Sequence, residues 1–402
     1  MTTFFINPLS ENFKALPWDR PLETWPANTP QVVELPRGVS RHTVTFVNVD
    51  GALYALKCMP VGFGQTELAL LRQAETLRLP VVSAFGLVLL NDGIEVLVTR
   101  YLERSLPYRS VFMGSALVRY RQSLVDAMSG LLVRLHLGGF FWGDCSLSNT
   151  LFRRDAGILQ AYLVDAECSA FFAAPLAPDL RLRDLEVMEQ NVQLDLSELA
   201  AANCLPEGFN YYDTSAVIRR KYHQLWDVVN KLEIVQPGET YRITERIRQL
   251  NQLGFSARDA QLVPSPLGDQ LRLKISVADR NYHRYRISDL TGMLVEEMQA
   301  RTLMNEIEEQ RARLARERGQ AVPLEAAAFF WQEQIFKPLM NVLTPLAEKR
   351  QSRQNEADPV LNADPTELYC QVLEHKWFLS ERAHMDVGHQ AALEDYLRQF
   401  GE

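Results

Sequence analysis

Apolar and polar positions alternate in short runs over residues 32–100, the two-residue period of strands, and then shift to the three-and-four spacing of helices. Runs 43–47 and 53–57 flank Asn48-Val49-Asp50-Gly51, and runs 87–90 and 94–99 flank Asn91-Asp92-Gly93. An Asp-Gly step between apolar runs predicts a hairpin. Between the hairpins, residues 65–79 place Leu70, Leu71, Ala74 and Leu77 on one helical face and stop at Pro80. Residues 115–137 carry Leu117, Tyr120, Leu124, Met128, Leu131, Leu132 and Leu135 at helical spacing and end at Gly138-Gly139. Two apolar pieces, 149–152 and 159–164, on either side of Arg153-Arg154-Asp155-Ala156-Gly157 predict a further hairpin, and helix resumes over 180–201. The order is a small β-rich lobe with one helix, then a mostly helical lobe whose hairpin has polar residues at its ends.

Outside this stretch the pattern is less regular. Residues 1–30 are rich in Pro and Trp, lack either period, and read as an extended arm packed on a domain. Beyond 205–208 the spacing predicts helices over 215–232 and 244–253, then strands at 271–277 and 283–287 across Asp279-Arg280-Asn281. A long charged helix over 290–318, another over 324–348, a polar linker at 351–364 and two short helices within 365–400 complete the chain. The expected division is an arm (1–30), a domain of two lobes (31–100 and 101–204), an accessory α+β domain (205–350), and a linker with C-terminal helices (351–402).

Composition narrows the class. A chain of 402 residues that is 47% hydrophobic and 23% charged has enough apolar content for more than one core, which excludes a disordered or fibrous chain. A formal charge of −8 excludes whole-chain attraction to nucleic acid or anionic lipid, and Arg219-Arg220-Lys221 and Arg246-Ile247-Arg248 are too small to argue a nucleic-acid site. The five cysteines are far apart and form no C-x-x-C pair, as expected of reduced thiols. With no apolar stretch of membrane-spanning length and no signal-peptide pattern, a cytoplasmic location is expected. His375, His384 and His389 lack metal-ligand spacing, and the Glu and Arg residues over 291–318, Glu306 among them, read as a solvated face.

The chemistry concentrates in Trp142-Gly143-Asp144-Cys145-Ser146-Leu147-Ser148-Asn149, followed sixteen residues later by Asp165-Ala166-Glu167 after an apolar strand. Phosphoryl transfer needs a carboxylate at the acceptor hydroxyl, an amide oxygen and a carboxylate on magnesium, and a cation on the phosphates. Asp144-x-x-x-x-Asn149 has the spacing for the first two, Asp165 supplies the second carboxylate, and Lys57 at a strand end supplies the cation. Glu67, near the start of the helix in the β-rich lobe, is placed to orient Lys57, with Glu75 as its substitute. His136 reads as a core or helix-end residue, and Trp142 as stacking under the loop or filling the core.

With these residues, 32 to about 200 resemble the bilobal protein-kinase-like fold in the divergent form of bacterial small-molecule and lipopolysaccharide kinases. Thr99-Arg100-Tyr101-Leu102, Ser105-Leu106-Pro107-Tyr108-Arg109, Trp142-Gly143-Asp144 and Glu374-His375-Lys376-Trp377 together resemble a bacterial family of unknown function. Its members join a lipopolysaccharide-kinase-like N-terminal region to a C-terminal domain of their own. The resemblance implies an α+β, bilobal catalytic domain followed by a mostly helical α+β domain. It implies adenine contact at Arg100, Tyr101 and Leu102, catalytic Asp144, Lys57 and Glu67, and magnesium at Asn149 and Asp165. The sequence departs from the pattern at the phosphate-covering loop, where Leu35-Pro36-Arg37-Gly38-Val39-Ser40-Arg41-His42 has one glycine; Gly38 and Arg41, with Arg37 or Ser40, are the candidates there. Trp142-Gly143 replaces His-Arg, which argues against control by a phosphorylated activation loop, and Ala166 removes a Phe-based switch.

The expected function is an ATP- and Mg2+-dependent phosphotransferase acting on a small-molecule or glycan-like hydroxyl acceptor. Two alternatives stand beside it: a nucleotide-binding, pseudokinase-type regulatory protein that meets a protein partner through its C-terminal domain, and a kinase-like enzyme that transfers AMP from inverted ATP.

Overall fold

The computed structural model describes residues 2–35, 42–90, 93–113, 117–205, 210–230, 233–235, 257–264, 271–277, 282–352 and 364–400. The architecture is mixed α/β, with its largest sheet in the N-terminal region and helices dominating the C-terminal part. The chain forms two compact units, one of Met1–Arg153 with Gln160–Val228 and one of Arg154–Leu159 with Val229–Glu402.

The first unit is built on a five-stranded antiparallel sheet ordered β1-β4-β5-β3-β2, with β1 Thr3–Ile6, β2 Val44–Val49, β3 Ala52–Pro60, β4 Ala84–Leu89 and β5 Ile94–Arg100. The β2–β3 turn is the expected one: Asp50 and Gly51 both have positive φ (54° and 78°), the backbone a tight two-residue hairpin requires. Alternation then sorts β3, sending Tyr54 and Leu56 to one face and Ala55 and Lys57 to the other. On the Tyr54 face lies a core of Phe13, Trp18, Leu22, Trp25, Val47 and Val98. The N-terminal arm is therefore more ordered than its sequence implied. It contributes β1, a helical turn α1 at Glu11–Lys14 capped by the Ser10 side chain, and a 3-10 turn at Leu22–Ala27. Its indoles are satisfied locally, Trp18 donating to the Phe13 carbonyl and Trp25 to that of Arg20.

Helix α2 (Phe63–Thr76) has no capping side chain of its own, and Glu95 on β5 accepts the Gln65 N–H instead. It buries Glu67, Leu68, Leu71 and Ala74. Leu77, assigned to that face by spacing, lies past the last turn and is 49% exposed. The rest of the unit is mostly helical: α3 Tyr108–Met113, α4 Leu117–Leu137, α5 Pro178–Ala201 and α6 Thr214–Asn230. A sheet ordered β6-β8-β9 (Ser105–Pro107, Thr150–Asp155, Ile158–Leu163) and the pair β7 (Phe140–Phe141) and β10 (Ala170–Phe171) accompany them. Leu124, Met128, Leu131, Leu132 and Leu135 of α4 are all buried, as their spacing implied.

The second unit contains a sheet ordered β11-β13-β12 (Glu233–Val235, Leu271–Val277, Ala257–Pro264) and six helices among its described residues. These are α7 Tyr282–Thr291, α8 Glu297–Arg318, α9 Leu324–Trp331, α10 Lys337–Ser352, α11 Pro365–Ala383 and α12 His389–Phe400. Their core includes Ile287, Leu303, Ile307, Trp331, Leu343, Leu368 and Tyr369.

Four expectations are corrected here. Residues 283–287, read as a strand from their alternation, are helix, because the Glu297 carboxylate accepts the His283 and Arg284 N–H groups that open α7. The long charged helix begins at Glu297, after Gly292 (φ 72°) has ended α7, with Glu296 and Gln299 forming a capping box. Glu306 leaves the solvated face altogether: it is buried and accepts from the Trp331 indole, the Tyr369 hydroxyl and the His389 ring. Helix also runs past residue 348, from α9 through a π turn at Gln332–Phe336 into α10. The helix expected at 244–253 and most of the linker at 351–364 lie outside the described residues. No described helix is long and apolar enough to cross a membrane, and the five cysteines, all among the described residues, form no disulfide.

Candidate functional site

Strand β3 delivers Lys57 to a cleft of about 800 Å³ within the first unit. The Lys57 ammonium lies 3.0 Å from Glu67 Oε2, 2.7 Å from Asp165 Oδ2 and 3.7 Å from Glu167 Oε2. The other Glu67 oxygen accepts the Ala166 N–H at 3.0 Å, so α2 ties the lysine and the segment after β9 together. Glu75, the substitute considered from sequence, instead accepts the Ala84 N–H. Burial opposes the Lys57 charge, but Glu67 and Asp165 outweigh it and hold the ammonium's pKa above its ordinary value. Burial pushes Glu67 up to about 7, with the Asp165 charge adding and Lys57 opposing.

The turn after β7 brings Asp144 into the same cleft, and glycine is obligatory there. Gly143 has φ 79°, and a Cβ at that position would lie 2.2 Å from the Cys168 carbonyl oxygen. Trp142 is fully buried and its indole donates to the Asp165 carbonyl at 3.2 Å, so it fills the core and joins the two loops. The Asn149 amide donates both to Asp144 Oδ2 (3.0 Å) and to the Asp144 carbonyl (3.2 Å). Lys57, Glu67, Asp144, Asn149 and Asp165 are thus gathered about one cleft.

At the apolar end the cleft is lined by Val44, Phe46, Ala55, Val82, Tyr101, Leu102 and Leu151. Of the expected adenine-edge residues, Arg100 and Tyr101 spend their N–H groups on the Ser83 and Leu53 carbonyls, whereas the Leu102 carbonyl accepts from Ser105. Tyr101 packs edge-on against Phe46. Gly38, Arg41, Arg37 and Ser40 lie outside the described residues.

Sequence reasoning predicts the helix over 180–201 but not the polar residues on it that hold the loop. On α5, Asp184, Asn191 and Asp195 stand seven and four residues apart, which places them on one face. Asp184 accepts the Trp142 and Gly143 N–H groups at 2.8 Å each and faces the His136 ring. Asn191 donates to Asp144 Oδ1 at 2.9 Å and to the Cys145 carbonyl at 3.2 Å. Asp195 accepts the Leu147 and Ser148 N–H groups, and burial pushes its pKa up to about 6. The signal available in the sequence was polar residues at positions where an amphipathic helix buries its face. His136 is a buried helix-end residue, as expected, with burial holding its pKa low, and it joins Asp184 to the Tyr222 hydroxyl.

Glu167 and His42 were also not singled out as site residues; their side chains meet at 2.9 Å beside Asp165. Carboxylate oxygens of Glu67, Asp165 and Glu167 lie within 4.8 Å of one another. Asp165 and Glu167 offer carboxylate oxygens, donors of the kind magnesium takes, in the cleft that Asn149 also lines, while Glu67 is fully buried and committed to Lys57 and Ala166.

Residues 224–400 match the model of a domain of unknown function, DUF4032. That span is just under half of the chain. No curated protein matches. Among solved structures, WaaP in complex with acyl carrier protein is similar at 17% identity over 63% of this chain and 99% of that one, with a TM-score of 0.34.

Proposed function

We propose that the first unit is a protein-kinase-like, ATP- and Mg2+-dependent phosphotransferase acting on a hydroxyl of a small-molecule or glycan-like acceptor. The observation that carries the reading is Lys57 held between Glu67 and Asp165 in the cleft that also receives Asp144 and Asn149. In this reading Lys57 turns from Asp165 to the α- and β-phosphates while Glu67 keeps it in place. The apolar end takes the base, with the Leu102 backbone at its edge. Asn149, whose two N–H groups are spent on Asp144, offers its carbonyl oxygen, and Asp165 a carboxylate, to magnesium. Magnesium, when bound, neutralises charge on the phosphoryl group in transfer. Asp144 accepts the acceptor hydroxyl proton as that oxygen attacks the γ-phosphorus and the bond to the bridging oxygen breaks, releasing ADP.

A regulatory nucleotide-binding module with a protein partner is the second reading; it uses the same nucleotide site, and in both readings the ligand must displace the Lys57–Asp165 ion pair. Thermal unfolding with and without Mg-ATP, in wild type and Asp165→Ala, tests the shared premise. Ligand at 100 times its Kd stabilises the native state by about 2.7 kcal/mol, so the wild type should shift and the variant should not. No shift at millimolar nucleotide overturns both readings. A large fall in ADP formation in Asp144→Ala, to a residual rate, selects the phosphotransferase, and a covalent adduct of AMP mass would select AMP transfer instead.

A further inference from the structure

Three residues of α5 grip the loop that carries Asp144, and they do not grip it in the same way. Asp184 and Asp195 accept backbone N–H groups from it, those of Trp142, Gly143, Leu147 and Ser148, and meet the Cys145 and Ser148 side chains as well. Asn191, between them, reaches the side chain of the candidate base itself: its amide donates to Asp144 Oδ1, while Asn149 donates to Asp144 Oδ2. The carboxylate is therefore held through both oxygens, from two separate elements. A carboxylate fixed at one oxygen still turns about its Cβ–Cγ bond, whereas one fixed at both does not, and each oxygen keeps a further lone pair for an incoming hydroxyl.

The chemical type of the clamp also matters. Lys or Arg at 191 would compete as a cation for the charge that the acceptor proton must find, and Asp would repel Asp144. An amide orients the carboxylate and leaves its charge unpaired by any cation. Asn191 is itself fixed, because Asp184 and Asp195, seven residues before and four after it, pin the backbone on either side of Asp144.

We infer that Asn191 is a positioning residue for phosphoryl transfer: it orients Asp144 toward the acceptor hydroxyl and takes no part in holding nucleotide or magnesium. The inference rests on the phosphotransferase reading. Water serves as the probe acceptor, through intrinsic ATP hydrolysis by the full chain. A misaligned catalytic group costs on the order of a hundredfold in rate. Asn191→Leu, close in volume but without donors, should lower kcat about 10- to 100-fold, with the KM for ATP and the Mg-ATP thermal shift unchanged. Because Asn191 acts through Asp144, the same substitution in an Asp144→Ala background should lower kcat no further. Asn191→Ser, assayed below its melting temperature, repeats the test if the leucine variant unfolds.

Unchanged hydrolysis in both variants, a loss expressed in KM, or a further loss in the Asp144→Ala background overturns the role of Asn191 alone. Absence of any Mg-ATP shift or hydrolysis in the wild type overturns the phosphotransferase reading and this inference with it.

Discussion

Gly143 shows how much of the site depends on single backbone positions. Its left-handed φ and the Cys168 carbonyl 2.2 Å from its absent Cβ exclude any side chain. Gly143→Ala should destabilise the first unit by about 2–3 kcal/mol and abolish any Mg-ATP thermal shift, as urea unfolding and a melting assay would show. Asp184 is the polar counterpart. Replacing it by Ala strands the Trp142 and Gly143 N–H groups and the His136 ring in a buried setting, at about 1–3 kcal/mol for each buried group left unsatisfied. Asp184→Asn, which keeps an acceptor, should lose less than half as much in the same urea measurement. At this scale the sequence revealed the residues whose types and spacing name a chemistry: Lys57, Glu67, Asp144, Asn149 and Asp165. It did not reveal Asp184, Asn191 and Asp195, because each acts on a partner more than forty residues away, and a polar residue on the buried face of a helix signals a partner without naming it.

Among the elements, those built by local rules were legible and those built by distant partners were not. The β2–β3 hairpin follows from its Asp-Gly turn, and α4 follows from its apolar period. By contrast, β1 is four residues whose partner β4 lies about eighty residues on, and α7 begins where Glu297 caps it from the next helix. The β1–β4 pairing carries its own constraint. A Cβ on Gly86 would lie 2.5 Å from the Ile6 side chain and 2.6 Å from the Phe5 carbonyl, so only glycine lets the arm lie against the sheet there. Gly86→Ala should therefore detach β1, destabilise the first unit by about 1–3 kcal/mol, and raise amide exchange across residues 3–6. Raised exchange at β4 residues 86–89, the partners of β1, matched by a variant lacking residues 1–7, would show that the arm, and not the sheet interior, gives way.

Over the whole molecule the two units carry separate cores and different ionisable groups inside them. The hairpin tip Arg154–Leu159 belongs to the second unit, and there Asp155 accepts the Met298 and Gln299 N–H groups at the start of α8. Burial pushes Asp155 up to about 7, those two bonds oppose it, and the Glu296 and Glu367 charges add to it. A carboxyl whose folded pKa lies above its unfolded value near 4 binds its proton more tightly in the native state. Its contribution to stability is fully present below pH 4 and is lost as pH rises toward 7, at no more than about 1.4 kcal/mol per pH unit. Glu306 runs the other way. Burial opposes its charge, but the His389, Tyr369 and Trp331 partners hold its pKa below the ordinary value, so its contribution disappears only in acid, below about pH 4.5. Between pH 5 and pH 8 Asp155 is thus the carboxyl of these two that titrates. Asp155→Asn removes the proton but leaves one of two N–H donors poorly met, at about 1 kcal/mol. In urea unfolding of the full chain, the variant should be less stable than wild type at pH 5. The difference should close or reverse by pH 8, as the wild type alone loses the stabilising proton. Parallel pH dependence in the two proteins would mean that Asp155 stays ionised throughout, its two N–H bonds at the helix start having outweighed burial.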